Sequence, residues 1–368
     1  MQLNMKRILT FFVALSSAFP IQHVFGQSSA PKYSNEFLAI GVGARGLAMA
    51  NANVAGVDDV TSGYWNPVGI LGIQSNAQVG LMHAEYFASI AKYDYAAVAG
   101  RIDSLSSFGF SMIRFAVDDI PNTTQLIDAG GNIDYNRITT FSAQDYAFLF
   151  SYARKSPIKG LNYGANAKII RRKVGDFAGA WGFGIDAGAQ YAVSNWKFGA
   201  VVRDVTSTFN AWSFNLPQDM KDVFLATGNE IPSNSLELTL PRLILGASRK
   251  IALDKKQKFT LAGEMDMVNT FDGRRNVIVS TKLWSMEPMV GFEAGFKNMI
   301  FLRGGIGNIQ KAKDVFGVEQ TTFQPNLGIG IRIKSLTIDY ALTDIGDQSV
   351  ALYSNIFSLK FDINKKSH

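Results

Sequence analysis

The sequence has 368 residues, no cysteine and three histidines, and 18% of its residues are charged. The absence of cysteine excludes a disulfide scaffold, a thiolate metal site and a cysteine nucleophile. Because there are only three histidines, a multi-histidine metal centre is nearly excluded. The net charge of +6 comes from Lys and Arg residues that are scattered along the chain. A nucleic-acid partner needs basic residues clustered on one face, so we expect none.

The N-terminus has the pattern of an export signal. Lys6 and Arg7 precede an apolar run from Ile8 to Pro20, and small residues allow cleavage before Gln27. This order of charged, apolar and cleavable regions predicts a signal peptide at residues 1–26. The alternative, a buried core helix, lacks an amphipathic stripe. Because no cysteine follows, a lipoprotein is excluded.

The rest of the chain contains no run of about 20 apolar residues, which a membrane-spanning helix requires. An exported chain of this apolarity is then either a soluble β protein or a β-barrel of the outer membrane. Both alternatives predict strands with apolar residues on one face only.

Alternation with a period of two runs through residues 76–368. In the last run, Phe357, Leu359 and Phe361 share one face, and Ser358 and Lys360 lie on the other. The polar rows are rich in Gly, Ser and Asn, as expected of a wet lumen. Aromatic residues lie near the ends of several runs, where interfacial girdles would be: Tyr93, Tyr163, Trp181, Tyr191, Trp196 and Tyr340. These two features favour the membrane barrel over the soluble sandwich.

The strand count follows from the lengths of the connections. There are fifteen candidate strands: 77–87, 92–102, 106–117, 141–155, 160–174, 180–193, 196–205, 239–251, 257–270, 275–285, 287–297, 300–309, 323–333, 335–342 and 354–363. If 275–285 belongs to an outer loop, all long connections fall on one side: 118–140, 206–238, 271–286, 310–322 and 343–353. Bacterial barrels have even strand numbers, long outer loops and short periplasmic turns. We therefore predict an all-β fold, a fourteen-stranded antiparallel transmembrane barrel with both termini periplasmic.

Residues 27–75, between the signal and the barrel, do not alternate. Gly41, Gly43 and Gly46 satisfy the spacing G-x-G-x-x-G. A dinucleotide site also needs a βαβ unit and an acidic residue about 20 positions later. No such unit is apparent, and Asp58 follows Gly46 by only twelve residues. We therefore predict no nucleotide and no other cofactor.

The composition of this segment instead predicts a short helical and irregular plug inside the barrel lumen. Small residues from Ala44 to Ala55 suit close packing against other backbone. The Asn66-Pro67 pair forces an extended or turn geometry. The residues that we expect to define the plug are Gly41, Gly43, Arg45, Asp58, Asp59, Trp65, Asn66, Pro67 and Gly69.

The motifs of this segment resemble those of the PorV/PorQ family of Bacteroidetes, outer-membrane barrels related to the FadL-type transporters. The resemblance is carried by these motifs: Phe37-Leu38-x-Ile40-Gly41, Gly43-Ala44-Arg45, Val54-Ala55 with Asp58-Asp59, Tyr64-Trp65-Asn66-Pro67-Val68-Gly69, and the hairpin Gly291-Phe292-Glu293 to Leu302-Arg303-Gly304-Gly305. Val68 replaces the usual alanine, so one plug contact should differ.

The resemblance implies an outer-membrane protein of a Gram-negative bacterium with a fourteen-stranded, plugged barrel. It also implies a non-enzymatic accessory role in type IX protein secretion, through a translocon or an attachment complex. The expected protein-binding surface is the loop 206–238, with Phe209, Trp212, Phe214 and Phe224. The alternative for these aromatics is that they fold over the barrel mouth or lie at the membrane interface.

A second function remains open, namely FadL-like uptake of a hydrophobic small molecule. Arg332 or Lys334 could then meet a carboxylate, and outer-membrane lipid or lipopolysaccharide is a further expected partner. A lipid hydrolase would need partners for His83, and no spacing provides them. Paired aspartates such as Asp118-Asp119 are more typical of turns and caps than of metal sites, so no metal is predicted.

Overall fold

A computed structural model describes residues 35–126, 132–313, 317–343 and 353–364, with the side chains of 312 and 313 excepted. The predicted signal peptide and residues 27–34 lie outside the described residues. No helix in the described ranges is long and apolar enough to cross a membrane.

The fold consists almost entirely of antiparallel strands. The strands are β1 (Ala77–Tyr86), β2 (Ala91–Arg101), β3 (Ser106–Asn122), β4 (Thr139–Lys155), β5 (Leu161–Val174), β6 (Ala178–Val193), β7 (Trp196–Arg203), β8 (Thr208–Phe214), β9 (Ser235–Thr239), β10 (Arg242–Ala252), β11 (Phe259–Thr270), β12 (Val279–Ser280), β13 (Ser285–Phe296), β14 (Ile300–Lys313), β15 (Glu319–Ile333), β16 (Leu336–Thr343) and β17 (Ser354–Ile363). The α-helices are Ala44–Ala48, Ser62–Trp65 and Gln218–Ala226, and the 3-10 helices are Glu36–Ala39, Pro67–Gly72 and Tyr135–Arg137.

The sheet closes into a barrel because β1 pairs with both β2 and β17. Fourteen strands form the closed barrel, as predicted. β12 is only two residues long and pairs with the start of β13. Because β11 pairs directly with β13, the candidate strand 275–285 belongs, up to residue 284, to the connection between them. Without β12, and with β7 and β8 counted as one strand and β9 and β10 as another, the seventeen strands form fourteen, each paired with two neighbours. No open edge therefore faces lipid.

The predicted loop 206–238 is shorter in the structure, because β8 and β9 occupy both of its ends and residues 215–234 form the connection. β8 pairs with β6 between Ala178 and Phe183, directly beyond the part of β6 that pairs with β7. β8 therefore continues β7, and β9 in the same way leads into β10. The interruption has a local cause, because Asp204 and Ser207 have positive φ angles and Pro241 has no N–H to donate to a ladder.

The alternation places apolar side chains on the outer surface. On β17, Phe357 is 56% and Phe361 51% exposed, whereas Lys360 is buried. On β6, Trp181 and Tyr191 are both exposed near opposite ends of the strand, as expected of two interfacial girdles. Tyr93 is an exception to the predicted girdle. It is fully buried and faces the lumen, because the lumen side of β2 packs against the apolar core of the N-terminal segment.

Candidate functional site

The described part of the plug, residues 35–75, lies inside the lumen and is held first by two carboxylates of β11. Asp266 Oδ2 accepts hydrogen bonds from the backbone amides of Asn53 and Val54 at 2.8 and 2.9 Å. Glu264 Oε1 accepts from those of Ala55 and Gly56, the first at 2.7 Å. Both carboxylates are buried. Four successive N–H groups of the plug are thus fixed to one strand by hydrogen bonds to two buried carboxyl groups.

The carbonyl groups of the same segment are fixed from β6. Gln190 Nε2 donates to the carbonyl oxygens of Val54, Ala55 and Val57 at 3.2–3.3 Å. Asn66 Nδ2 donates to Val54 O at 3.0 Å and to a carbonyl of β6. A side chain at Gly199 on β7 would collide with this backbone, because its Cβ would lie 2.6 Å from Val54 O. Residues 53–57 therefore lie flat against the wall formed by β6, β7, β10 and β11.

A chain of alternating buried charges ties the plug to the wall formed by β13, β14, β16 and β17. Arg45 Nε lies 3.0 Å from Glu293, which also binds Arg303 at 2.7 Å. Arg303 binds Asp339 at 2.7 Å. Lys360 completes the chain at 2.6 Å from Asp59 and 3.6 Å from Asp339. Each charge faces an opposite one, as burial requires.

The two plug members of this chain have shifted pKa values. Burial opposes ionisation, but Lys360 and Arg45 hold the pKa of the Asp59 carboxyl well below its usual range. Burial also opposes the charge on Arg45, but Glu293, Asp58 and Asp59 raise the pKa of its guanidinium. Both groups therefore stay ionised at neutral pH. Asp58, in contrast, is exposed and pairs with Lys197 at 3.2 Å.

The remaining motif residues build the core of the plug. Trp65 Nε1 donates to Val42 O at 3.0 Å, and its ring lies so close to Gly46 that a Cβ there would be 2.7 Å away. Gly41 and Gly43 have φ angles of +107° and +78°, which favour glycine.

The last part of the motif forms a turn against the wall. Asn66 caps the 3-10 helix that begins at Pro67. Gly69 has no room for a Cβ beside Val57 O. Val68, the departure from the family pattern, is fully buried in this turn.

Two large cavities lie in the lumen. The outer cavity, named for the predicted outer ends of the strands around it, has a volume of about 720 Å³. It is lined by Phe37, Tyr86, Phe87, Phe115 and Met289 together with polar residues of β14–β17. The inner cavity, of about 900 Å³, is lined by residues of the short turns, such as Asn195 and Asn298, and by the charged chain. No lining residue is shared between the two.

Residues 48–51 are here called the barrier segment, and Ala50 and Asn51 of this segment line the outer cavity. The barrier segment lies against glycines of β13–β15: a Cβ at Gly291 would be 2.6 Å from Met49 O, and one at Gly328 would be 2.5 Å from the Cβ of Ala48. Ala50 adopts a positive φ of 54°, which is unusual for a residue with a side chain. The absence of side chains on the wall lets the plug backbone close the lumen there.

The predicted aromatic surface is divided between two sides of the wall. Phe209 is 39% exposed on the outer face of β8. Trp212 and Phe214 are partly buried on the opposite face, where the Arg172 guanidinium lies 5.1 Å from the Trp212 ring. Phe224 is partly buried on the helix Gln218–Ala226. Part of the set therefore folds towards the barrel mouth, which was the alternative interpretation.

The residues considered for catalysis or metal binding do not form such sites. His83 lies on the outer face, half-exposed, with Nδ1 2.7 Å from Asp94. Asp118 pairs with Lys92 at 3.2 Å. Within the described residues, no group of three or more His, Asp or Glu side chains is arranged to hold a metal ion.

The comparisons with known proteins are structural only, since no protein-family profile and no curated protein sequence matches the chain. The CymD monoaromatic hydrocarbon channel superposes with a TM-score of 0.53 at 11% identity, covering 89% of this chain and 99% of CymD. The Pseudomonas putida toluene transporter TodX gives 0.54 at 11% identity, covering 88% and 99%. A Pseudomonas aeruginosa FadL homologue gives 0.48 at 11% identity, covering 87% and 98%.

The similarities to CymD and TodX show the fold. The chain has the fold of a fourteen-stranded outer-membrane barrel, which agrees with its apolar outer surface. The narrower resemblance to the PorV/PorQ family receives no support from the solved structures.

Proposed function

We propose that this protein is a non-enzymatic channel through which a hydrophobic small molecule crosses the outer membrane. The observation that carries the proposal is the pair of cavities, of about 720 and 900 Å³, on either side of one plug segment in one lumen. Small-molecule pockets commonly occupy about 300–1,000 Å³. The likeness in fold to CymD and TodX supports the same interpretation.

The outer cavity provides the entry site. Phe37 and Tyr86 are buried at its base, while Phe87 is 56% exposed at its rim. An apolar ligand that enters exchanges contact with water for contact with these rings, which is favourable by about 25 cal/mol per Å² of buried apolar surface.

Passage from the outer to the inner cavity requires the barrier segment to move. Its contacts with Gly291, Gly305 and Gly328 are van der Waals contacts. Residues 53–57, in contrast, are fixed by hydrogen bonds to β6 and β11. We therefore expect the barrier segment to shift while residues 53–57 stay attached to the wall.

The test is uptake of radiolabelled toluene by host cells that have an intact outer membrane and lack general porins. We expect the initial rate to rise when this protein is expressed and to return to the empty-vector rate without it. Equal rates, with folded protein confirmed in the outer membrane by its heat-modifiable migration, would contradict the proposal.

The accessory role in type IX secretion remains a prediction from sequence resemblance. Phe209, which is exposed on β8, is the aromatic of the predicted set most available to a protein partner. Purification from native membranes would test this role, since a secretion translocon or attachment-complex component should co-purify, and its absence would count against the role.

A further inference from the structure

The outer cavity carries an excess of negative charge. Its charged lining residues are Glu36, Asp145, Arg172 and Glu287, three acids and one base, for a net charge of −2. The partners of these residues do not change this balance. Arg242, 2.6 Å from Glu36, adds one positive charge. Glu237, 3.7 Å from Arg172, adds one negative charge, and Arg172 also binds Asp145 at 2.8 Å.

Glu287 is the acid of this cavity that forms no ion pair within the described residues. The cations that act on it electrostatically are Arg275 and Arg242, and each is bound to another carboxylate at 2.6 Å. Within the described residues no cation binds the Glu287 carboxylate, which interacts instead with the backbone N–H of Asn308 and faces the cavity.

The position of Glu287 on β13 places it directly above the barrier. Alternate residues of this strand face the lumen: Glu287 and Met289 line the outer cavity, Gly291 contacts the barrier segment, and Glu293 belongs to the charged chain. A ligand must therefore pass the Glu287 carboxylate before it reaches Met49.

The inner cavity has the opposite charge. Six cationic residues line it, Arg45, Lys197, Lys250, Arg303, Arg332 and Lys360, against the four acids Asp58, Asp59, Glu293 and Asp362. An anion would thus be attracted on the periplasmic side and repelled on the outer side. The selection of incoming ligands by charge must occur in the outer cavity.

We propose that the outer cavity admits neutral hydrophobic molecules and rejects carboxylates, and that Glu287 is the specificity-determining residue. This inference rests on the proposed channel function and names its substrate class. Two like charges within one partly dehydrated cavity repel strongly, because the effective dielectric constant there is far below that of water. We expect discrimination of about tenfold or more between a neutral molecule and a carboxylate of similar size.

The experiment compares toluene with benzoate, which share a ring and differ by the charged group, in the porin-deficient host at pH 7. With the unaltered protein, we expect protein-dependent entry of toluene and little of benzoate. Glu287→Gln keeps the size of the side chain and removes its charge, so the ratio of benzoate entry to toluene entry should rise about tenfold. Glu287→Lys should raise benzoate entry further.

Glu319→Gln is the matched control, because Glu319 is exposed at the start of β15 and outside both cavities, and it should behave like the unaltered protein. Heat-modifiable migration confirms that each variant is folded. Equal entry of toluene and benzoate through the unaltered protein, or an unchanged ratio in Glu287→Gln, would overturn the inference alone. If toluene entry does not depend on the protein at all, the proposed channel function fails as well.

Discussion

Removal of the Asp266 carboxylate should release one end of the plug. The Asp266→Ala variant loses two hydrogen bonds, from the amides of Asn53 and Val54 at 2.8 and 2.9 Å, and leaves both buried donors without an acceptor. A buried donor that loses its acceptor costs about 1–3 kcal/mol. For the two donors together we take a value in the lower half of this range, about 3 kcal/mol.

Amide hydrogen exchange measures this loss directly, because it reports the local opening free energy of individual residues. A change of about 3 kcal/mol corresponds to exchange at Asn53 and Val54 that is roughly a hundredfold faster. Glu319→Ala, which removes an exposed carboxylate, should leave these amides unchanged. Unaltered exchange at Asn53 and Val54 in folded Asp266→Ala would refute the assignment of this carboxylate as an anchor.

Three further predictions concern the charged chain and the barrier. Arg303→Met leaves two buried carboxylates without their shared cation, so the free energy of unfolding of the barrel in urea should fall by about 3–5 kcal/mol; an unchanged value would contradict the assigned role. Gly291→Val places side-chain atoms where the backbone of Met49 lies, so small polar dyes should leak through the reconstituted variant. Gly263→Val, at a glycine with open space around it, should let no dye through. The pKa of Asp59 lies below its value in the unfolded chain, so its stabilising contribution is complete above about pH 4 and is lost only as the pH falls further. Protection of the plug amides against hydrogen exchange should therefore be equal at pH 5 and pH 7. A loss of this protection by pH 5 would argue against the ion pair.

The fold was largely predictable because its main determinant is local. The period-two rows of β17 and the lengths of the connections predicted both the lipid-facing surface and the fourteen-stranded count, and the structure confirms them. The extent of the strands was less predictable. Asp204, Ser207 and Pro241 are of the residue types that commonly end strands. Backbone pairing nevertheless resumes beyond Ser207, because β6 is long enough to pair with β8 as well as with β7.

The anchors of the plug were not predictable from alternation. Alternation along β11 places Glu264 and Asp266 on the lumen face, where acidic residues are ordinarily solvated. Their partners are backbone amides more than 200 residues away in the sequence, and a side-chain pattern contains no signal for an N–H group. The charged chain was partly foreseeable, since Glu293, Arg303 and Arg45 all belong to the motifs of the resemblance.

The central claim, that the barrier segment must move for a ligand to pass, can be tested with a reversible cross-link. The Cβ of Ala50 lies 3.2 Å from the position of a Cβ at Gly307, a few tenths of an ångström below the usual range for a disulfide, and the chain has no cysteine of its own. In the Ala50→Cys, Gly307→Cys double variant, oxidation should abolish protein-dependent toluene uptake and reduction should restore it. Each single variant should transport toluene under both conditions. Equal uptake by the oxidised and reduced double variant, with the cross-link verified by mass spectrometry, would show that ligands do not pass the barrier segment.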